Sequence, residues 1–171
     1  MKRKFLTAAL MICAVGLVAV PVAMSASGSA HFIKNATGAS LSGSSLTCNF
    51  KEAGLASGST ETVTCSATVA TTYECVNGGG MNPAASNKKT FVTTVTKSGQ
   101  FTADKNGNIV GSLTLSPPSA SSLGFSCPPG QTTTFVSVSY SNVKVTDSTS
   151  GASQSIAGTF SYTNPQAPPV R

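Results

Sequence analysis

The longest alternation of apolar and polar side chains in this chain runs over Thr60–Asn77. The apolar members share one parity, and they are Val63, Cys65, Ala67, Val69, Tyr73 and Cys75. A period of two predicts a β-strand, because successive side chains leave opposite faces of the pleated backbone. The run is longer than an average strand. We therefore predict two strands that divide near residues 70–72, each with one inward-facing cysteine.

Shorter alternations with the same period recur along the rest of the chain. They cover residues 46–51, 90–97, 109–115 and 132–140, then Val143 and Val145 beyond a bulge near Ser141 and Asn142, and a last strand marked by Ile156, Phe160 and Tyr162. Turn-forming residues separate them: 53–59 is expected to return the chain antiparallel, and 104–108 to form a tight hairpin turn. The pattern predicts an all-β fold, an antiparallel β-sandwich of about seven to nine strands, immunoglobulin-like in general architecture.

Aromatic packing in this sandwich has to come from phenylalanine and tyrosine, because the chain has no tryptophan. The core tryptophan of true immunoglobulin domains is therefore missing. We expect Tyr73, Phe91, Phe135 and Tyr140 to take its place.

Both ends of the chain are predicted to lie outside the sandwich, which is expected over residues 46–163. Residues 1–30 have the basic start, apolar run and small-residue end of a secretory signal peptide, with an uncleaved membrane anchor as the alternative. Residues 31–45 carry few apolar side chains and predict a flexible N-terminal arm or a loose first strand. The proline-rich residues 164–171 are expected to form a disordered tail. Once the signal peptide is cleaved, no membrane segment is expected.

Hydroxyl side chains replace charged ones in this composition. Only 9% of residues are charged, whereas 44 of the 141 residues after position 30 are serine or threonine. Without Lys2, Arg3 and Lys4 of the signal peptide, eight basic residues face five acidic ones, a net charge of +3. The basic residues are scattered, and only Lys88 and Lys89 are adjacent. Since binding to a phosphate backbone needs clustered positive charge, we predict no nucleic-acid partner.

Four cysteines follow the signal peptide: Cys48, Cys65, Cys75 and Cys127. An even number in an exported domain argues for two disulfides, and the sequence allows three pairings. We favour Cys48 with Cys65, because both face inward on strands that we expect to be adjacent and antiparallel. Cys75 with Cys127 would then close a loop of about fifty residues against the proline corner at 127–131. The alternative, a zinc site, lacks Cys-x-x-Cys spacing.

Side chains suited to catalysis or ligand binding are few. The five acidic residues after the signal peptide are Glu52, Glu61, Glu74, Asp104 and Asp147. We expect them at exposed strand or turn positions, with no spacing that brings two carboxylates together. His31, the only histidine, is expected to be a solvated terminal residue. The glycine-rich segment 77–87 lacks the following helix of a phosphate loop, and 104–108 departs from a calcium loop at Ile109. We predict no catalytic residue, no metal and no cofactor.

Several short segments resemble a group of small exported β proteins from actinobacteria and similar soil bacteria. These segments are Tyr73-Glu74-Cys75-Val76-Asn77, Asn87-Lys88, Asn106-Gly107, Gly111-Ser112-Leu113-Thr114-Leu115, Cys127-Pro128-Pro129-Gly130-Gln131 and Ser137-Val138-Ser139-Tyr140-Ser141-Asn142-Val143. The resemblance spans about residues 45–163 and implies export and a β fold. The group is uncharacterised, so the resemblance implies no activity.

These observations predict a secreted, non-enzymatic β-sandwich protein that acts by surface contact, at the cell envelope or on an extracellular partner. The partner is expected to be a protein or a cell-wall glycan. If Cys75 bonds Cys127, the loop at 77–87 and the proline corner lie side by side and form the expected contact patch. Its residues are Tyr73, Asn77, Met81, Lys88, Lys89, Pro128 and Pro129. The alternative functions are a secreted protease inhibitor, with the Cys127 corner as its braced loop, and a carbohydrate-binding module.

Overall fold

A computed structural model describes residues 30–80 and 87–168 of the protein. These residues form nine strands: β1 (His31–Phe32), β2 (Gly38–Ser42), β3 (Ser45–Ala53), β4 (Thr60–Asn77), β5 (Lys88–Thr102), β6 (Ile109–Leu115), β7 (Gln131–Asp147), β8 (Ser153–Ile156) and β9 (Phe160–Thr163). Apart from Ala30, the predicted signal peptide lies outside the described residues. Within the described residues, no helix has both the length and the apolar character needed to span a membrane.

The strands form two antiparallel sheets. In sheet A, β3 is central, with β6 on one side and β1 and β2 in succession along the other. In sheet B, the order is β5, β4, β7, and β8 and β9 follow one another along the free side of β7. The inner faces of the sheets pack together, which confirms the predicted β-sandwich. Its likeness to immunoglobulin domains lies in this general two-sheet architecture.

The core between the sheets is built from the alternate apolar positions of the central strands. Leu46, Cys48 and Phe50 from β3 face Val63, Cys65 and Val69 of β4 across it, and all six are at most 1% exposed. Phe50 makes edge-to-face contacts with Phe32 and Phe101, with ring centroids 6.0 and 5.0 Å apart. Of the four aromatic residues expected to pack the core, not all lie at its centre. Tyr140 is fully buried in this core, but Phe50 is its central phenylalanine, while Phe91 and Phe135 are half-buried.

β4 is one strand of 18 residues and not the two that its length predicted. It stays continuous because β5 pairs with it over 15 residues and β7 pairs with it along nearly its whole length. Two register shifts in the ladder with β7, between Ser66 and Thr68 and between Thr72 and Tyr73, absorb the mismatch. The first register shift lies opposite Asn142, which has φ 51°, and confirms the bulge predicted there. The extra residue of the bulge brings Val143 and Val145 back to the inner face, where both are buried.

Two chain reversals cross between the sheets, where hairpins were expected. Residues 54–59 lead from β3 in sheet A to β4 in sheet B, and the 104–108 turn leads from β5 back to β6. Both disulfides have the predicted partners, Cys48–Cys65 and Cys75–Cys127. The reason given for the first was wrong, because Cys48 and Cys65 face each other across the core and not along one sheet. β3 and β4 hydrogen-bond to other strands of their own sheets, and only their apolar faces pack against each other.

Residues 31–45 belong to the sandwich, so the expected flexible arm is replaced by two strands. β1 and β2 both pair with β3, Phe32 is 6% exposed, and Ala39 and Leu41 pack against the core. The predicted last strand is likewise two, β8 and β9, interrupted at residues 157–159 opposite the β7 bulge. Of the predicted tail, residues 164–168 begin with a turn in which Asn164 Oδ1 accepts from the Gln166 amide at 3.0 Å. Residues 169–171 lie outside the described residues.

Candidate functional site

The inner face of sheet B extends beyond sheet A, because β4 has 18 residues and β3 only nine. The Tyr140 hydroxyl, which donates to the Ser44 carbonyl at 2.8 Å, marks the level at which β3 begins. Beyond this level the segment 116–130, between β6 and β7, covers the sheet. The Tyr73 hydroxyl donates to the Pro118 carbonyl at 2.8 Å and fixes the segment near its start.

An aromatic layer lies between this segment and sheet B. Its members are Tyr73, Phe91, Phe125, Phe135 and Tyr162. Phe125, carried by the covering segment, packs on Tyr73 and Phe91 with centroid separations of 6.2 and 5.8 Å. Phe135 links Tyr73 to Tyr162 at 5.7 and 6.3 Å. Because aromatic pairs stabilise by burial and by ring geometry, this layer is a second, smaller core at the far end of the sandwich.

The proline corner is fixed beside the end of β4. The Cys75–Cys127 disulfide, with a Cα–Cα distance of 5.5 Å, joins the corner to the strand, and Gln131 pairs with Asn77 in the β4–β7 ladder. The Gln131 amide donates to the Pro128 carbonyl at 3.1 Å, which closes the corner as a tight turn. Pro128 and Pro129 are exposed. An exposed rigid corner thus lies against the turn that follows Asn77.

The remaining residues of the predicted contact patch are placed as follows. Lys88 and Lys89, at the start of β5, are exposed, and the Lys89 Nζ lies 4.8 Å from the centroid of the Phe91 ring. Asn77 is half-buried, and its Oδ1 accepts from the Gly79 amide at 3.2 Å. Tyr73 was expected in the contact patch, but it is only 8% exposed and belongs to the aromatic layer. Met81 lies outside the described residues.

At the opposite end of β4, three acidic side chains come together, contrary to the sequence expectation. This carboxyl cluster consists of Glu52 from β3, Glu61 from β4 and Asp147 from β7. They are 0, 3 and 0% exposed. Asp147 lies close enough to both glutamates to raise the pKa of each. Glu74 is also fully buried, further along β4, so four of the five acidic positions were wrongly expected to be exposed. Asp104 alone is exposed, in its turn.

Hydroxyl groups from two loops hold the cluster in place. Ser150 donates from Oγ to Glu52 Oε1 at 2.7 Å, and Ser59 donates to Glu61 Oε1. Asp147 Oδ1 accepts from the Thr149 amide at 2.8 Å. Burial raises the pKa of Glu52 to about 7; the Ser150 hydrogen bond opposes this, and the charges of Asp147 and Glu61 add to it. Burial also raises the pKa of Glu61.

The alternation contained a signal for this cluster. Glu52 continues the inward parity of Cys48 and Phe50, Glu61 precedes Val63 on the same parity, and Asp147 follows Val145. Their acidic character nevertheless led to the expectation of exposed strand or turn positions. Their convergence needs the sheet pairing as well, because β3, β4 and β7 reach the same end of the sandwich only in the assembled fold.

The cluster is chemically suited to share protons and is closed to large substrates. Carboxyl groups held together in a buried site disfavour one another's ionisation, so a proton kept by one of them can be shared with a neighbour. The small exposure of all three side chains leaves no opening for a substrate at the carboxyl oxygens. Over residues 30–80 and 87–168, no three histidine, cysteine or acidic side chains are arranged to hold a metal ion.

The fold and the two disulfides define the protein as a disulfide-linked antiparallel β-sandwich. The chain matches no protein-family model, no curated protein and no solved structure.

Proposed function

We propose that this protein is exported and acts without catalysis, by surface contact at the cell envelope or on an extracellular partner. The single observation that carries the proposal is the corner at residues 127–131, which the Cys75–Cys127 disulfide and the pairing of Gln131 with Asn77 hold rigidly beside the end of β4. The disulfides are consistent with an oxidising environment, where such bonds persist. The signal-peptide pattern of residues 1–30 supports export.

A contact surface at this end is supported by its rigidity and by its charge. Pro128 and Pro129 are exposed beside the end of β4, in a corner that the disulfide holds in place. A partner therefore meets a surface that is already ordered, and binding costs little entropy. Lys88 and Lys89 add two exposed positive charges, and the one acidic residue nearby, Glu74, is buried opposite Lys88. This charge favours a partner with negative groups, whether a protein or a cell-wall glycan.

The two alternative functions fit this geometry less well. A protease inhibitor presents an extended loop to the enzyme cleft, whereas the Pro128 carbonyl is turned back to the Gln131 amide. A carbohydrate-binding module stacks sugars on open rings, whereas the rings of the aromatic layer pack on one another.

Retention of the purified mature protein on isolated cell walls, and on proteins of the culture supernatant, tests the proposal. The patch variant carries Lys88→Ser and Lys89→Ser, and a corner variant carries Pro128→Ala and Pro129→Ala. Truncation of a side chain that contributes to an interface typically weakens the binding free energy by more than about 1 kcal/mol. We therefore expect each variant to bind roughly tenfold more weakly.

The matched control carries Lys97→Ser and Lys144→Ser, which remove the same charge from exposed positions away from this end. It is expected to bind as the wild type does. Equal loss in the patch variant and this control would show that net charge alone drives retention and would overturn the proposed patch. No retention of the wild type on either material would overturn the proposed function.

A further inference from the structure

The carboxyl cluster joins the two sheets at the end of the sandwich away from the proposed contact surface. Glu52 belongs to sheet A, whereas Glu61 and Asp147 belong to sheet B. Two loops meet there: residues 54–59, which hold Ser59, and the turn at 148–152, which holds Ser150. The Ser150 hydroxyl bonded to Glu52 ties the turn of sheet B to sheet A.

Each member of the cluster has one carboxyl oxygen without a donor. Glu52 Oε2, Glu61 Oε2 and Asp147 Oδ2 are all buried and accept no hydrogen bond from the described residues. A buried oxygen without a partner is costly, and a buried negative charge without one is more so. A proton on Glu52 or Glu61 lowers these costs, because it removes one negative charge and gives an unpartnered oxygen of the neighbouring Asp147 a donor.

Positive side chains that would compensate for ionisation lie elsewhere. His31 and Lys51 lie on the outer face of sheet A, because their neighbours Phe32 and Glu52 face inward and successive side chains alternate between faces. Their cross-strand partners are Ala53 and the exposed Val110. Lys97 of β5 is exposed opposite Cys65, and exposed Asp104 carries a charge of the wrong sign. β6, β8 and residues 54–59 and 148–152 carry no titratable side chain. Lys34, Lys105 and Lys144 are also exposed. None of the lysines is among the groups that shift the pKa of Glu52 or Glu61, so we assign the compensation to a proton.

We propose that the carboxyl cluster is a proton-dependent latch between the two sheets, closed while Glu52 or Glu61 holds a proton that it shares with Asp147 and released when that proton is lost. Release separates Glu52 of sheet A from Asp147 of sheet B, because their negative charges repel each other, and it loosens the turn at 148–152 that follows Asp147. The amides of that turn report its state, because Ser148 donates to Thr62 O at 3.0 Å and Gly151 to Asp147 O at 3.0 Å. The other half of the sandwich, with the aromatic layer and Cys75–Cys127, stays folded.

Amide hydrogen exchange of the intact mature protein between pH 5 and pH 8 tests the latch. Protection factors, which correct for the intrinsic pH dependence of exchange, are compared for Ser148, Thr149 and Gly151 and for the β4–β7 ladder around Val69. Because opening releases one proton, protection of the turn should fall about tenfold per pH unit up to pH 7. It should also stay below that of the ladder. Flat protection, or protection equal to that of the ladder, would overturn the proposal.

Two variants and a control separate proton sharing from packing. In Glu52→Gln the amide can donate to Asp147 at every pH, and in Asp147→Asn the amide can donate to Glu52. Both variants should therefore have a smaller slope than the wild type. Glu74→Gln changes a buried glutamate far along β4 and should keep the wild-type slope. Retention of the slope in both cluster variants would contradict the latch.

Calcium ions provide the last arm of the experiment. Carboxyl groups of a metal site bind the metal ion in their ionised form, so such a site would bind Ca²⁺ better at pH 8 than at pH 5. If millimolar Ca²⁺ at pH 8 restored the protection seen at pH 5, the cluster would be a cation site and the latch proposal would fail. We expect Ca²⁺ to leave protection at pH 8 unchanged.

Discussion

Gly111 shows at the scale of one residue how closely the inner faces approach. It lies on β6 opposite Phe50, and a Cβ added there would overlap the rings of Phe50 and Phe101. These rings form the edge-to-face pair at the centre of the core. The glycine is required by this packing and not by its backbone conformation, since its φ is not positive.

We predict that Gly111→Ala lowers the free energy of unfolding by about 1–3 kcal/mol, the usual cost of forcing extra atoms into a packed core. Urea unfolding, followed by tyrosine fluorescence, measures the change. Gly38→Ala on β2 is the matched control, because nothing lies within 4 Å of its added Cβ. A loss as large in Gly38→Ala would mean that the effect comes from strand glycines in general and not from the two rings.

Among the structural elements, the covering segment 116–130 depends most on a single bond. β6 ends at Leu115, so this segment is held on sheet B by the aromatic layer, the Tyr73–Pro118 hydrogen bond and the Cys75–Cys127 disulfide. The disulfide spans 52 residues of sequence, whereas Cys48–Cys65 spans 17. In the chain-entropy account the longer loop gives the larger stabilisation.

Replacing Cys75 and Cys127 by alanine should therefore lower the stability by roughly 4 kcal/mol. It should also expose the segment to proteolysis, since its other contacts with the sheets are two side-chain hydrogen bonds, Ser45–Ser116 and Tyr73–Pro118, and the rings of the aromatic layer. Chemical denaturation gives the first quantity, and limited proteolysis with mass mapping gives the second. Cleavage within residues 54–59 before any cut in 116–130 would show that another part of the fold is the weaker one.

For the whole molecule, the carboxyl cluster predicts that stability falls as the pH rises. The pKa of Glu52 is raised from 4.5 to about 7 by burial, so the folded protein holds a proton that the unfolded chain has released. Stability from this group is complete below about pH 4.5 and is lost progressively up to about pH 7, by up to about 3 kcal/mol at 1.36 kcal/mol per pKa unit. The raised pKa of Glu61 acts in the same direction.

Urea unfolding at pH 5 and pH 8 measures this dependence. Asp104 does not interfere. Its carboxylate accepts hydrogen bonds from the backbone amides of Asn108 and Asn106, which lower its pKa below 3.8 and so below the measured pH range. The wild type should be more stable at pH 5, and Glu52→Gln should reduce the difference. A wild type that is more stable at pH 8 would contradict the proposed protonation of the cluster.

The sequence favoured both observed cysteine pairs among three possible pairings. Its alternation by itself determined most of the strands, their inward-facing apolar residues and the bulge near Asn142. These properties follow from a period of two along one strand, which each segment carries independently of its neighbours. The tertiary structure alone decided which strands share a sheet. It placed β3 and β4 in opposite sheets, joined β1 and β2 to β3, and kept β4 whole. Hydrogen-bond pairing depends on partners distant in sequence, so the period cannot specify it. For the same reason the inward parity of Glu52, Glu61 and Asp147 was visible in the sequence, whereas their meeting in one cluster required the paired sheets.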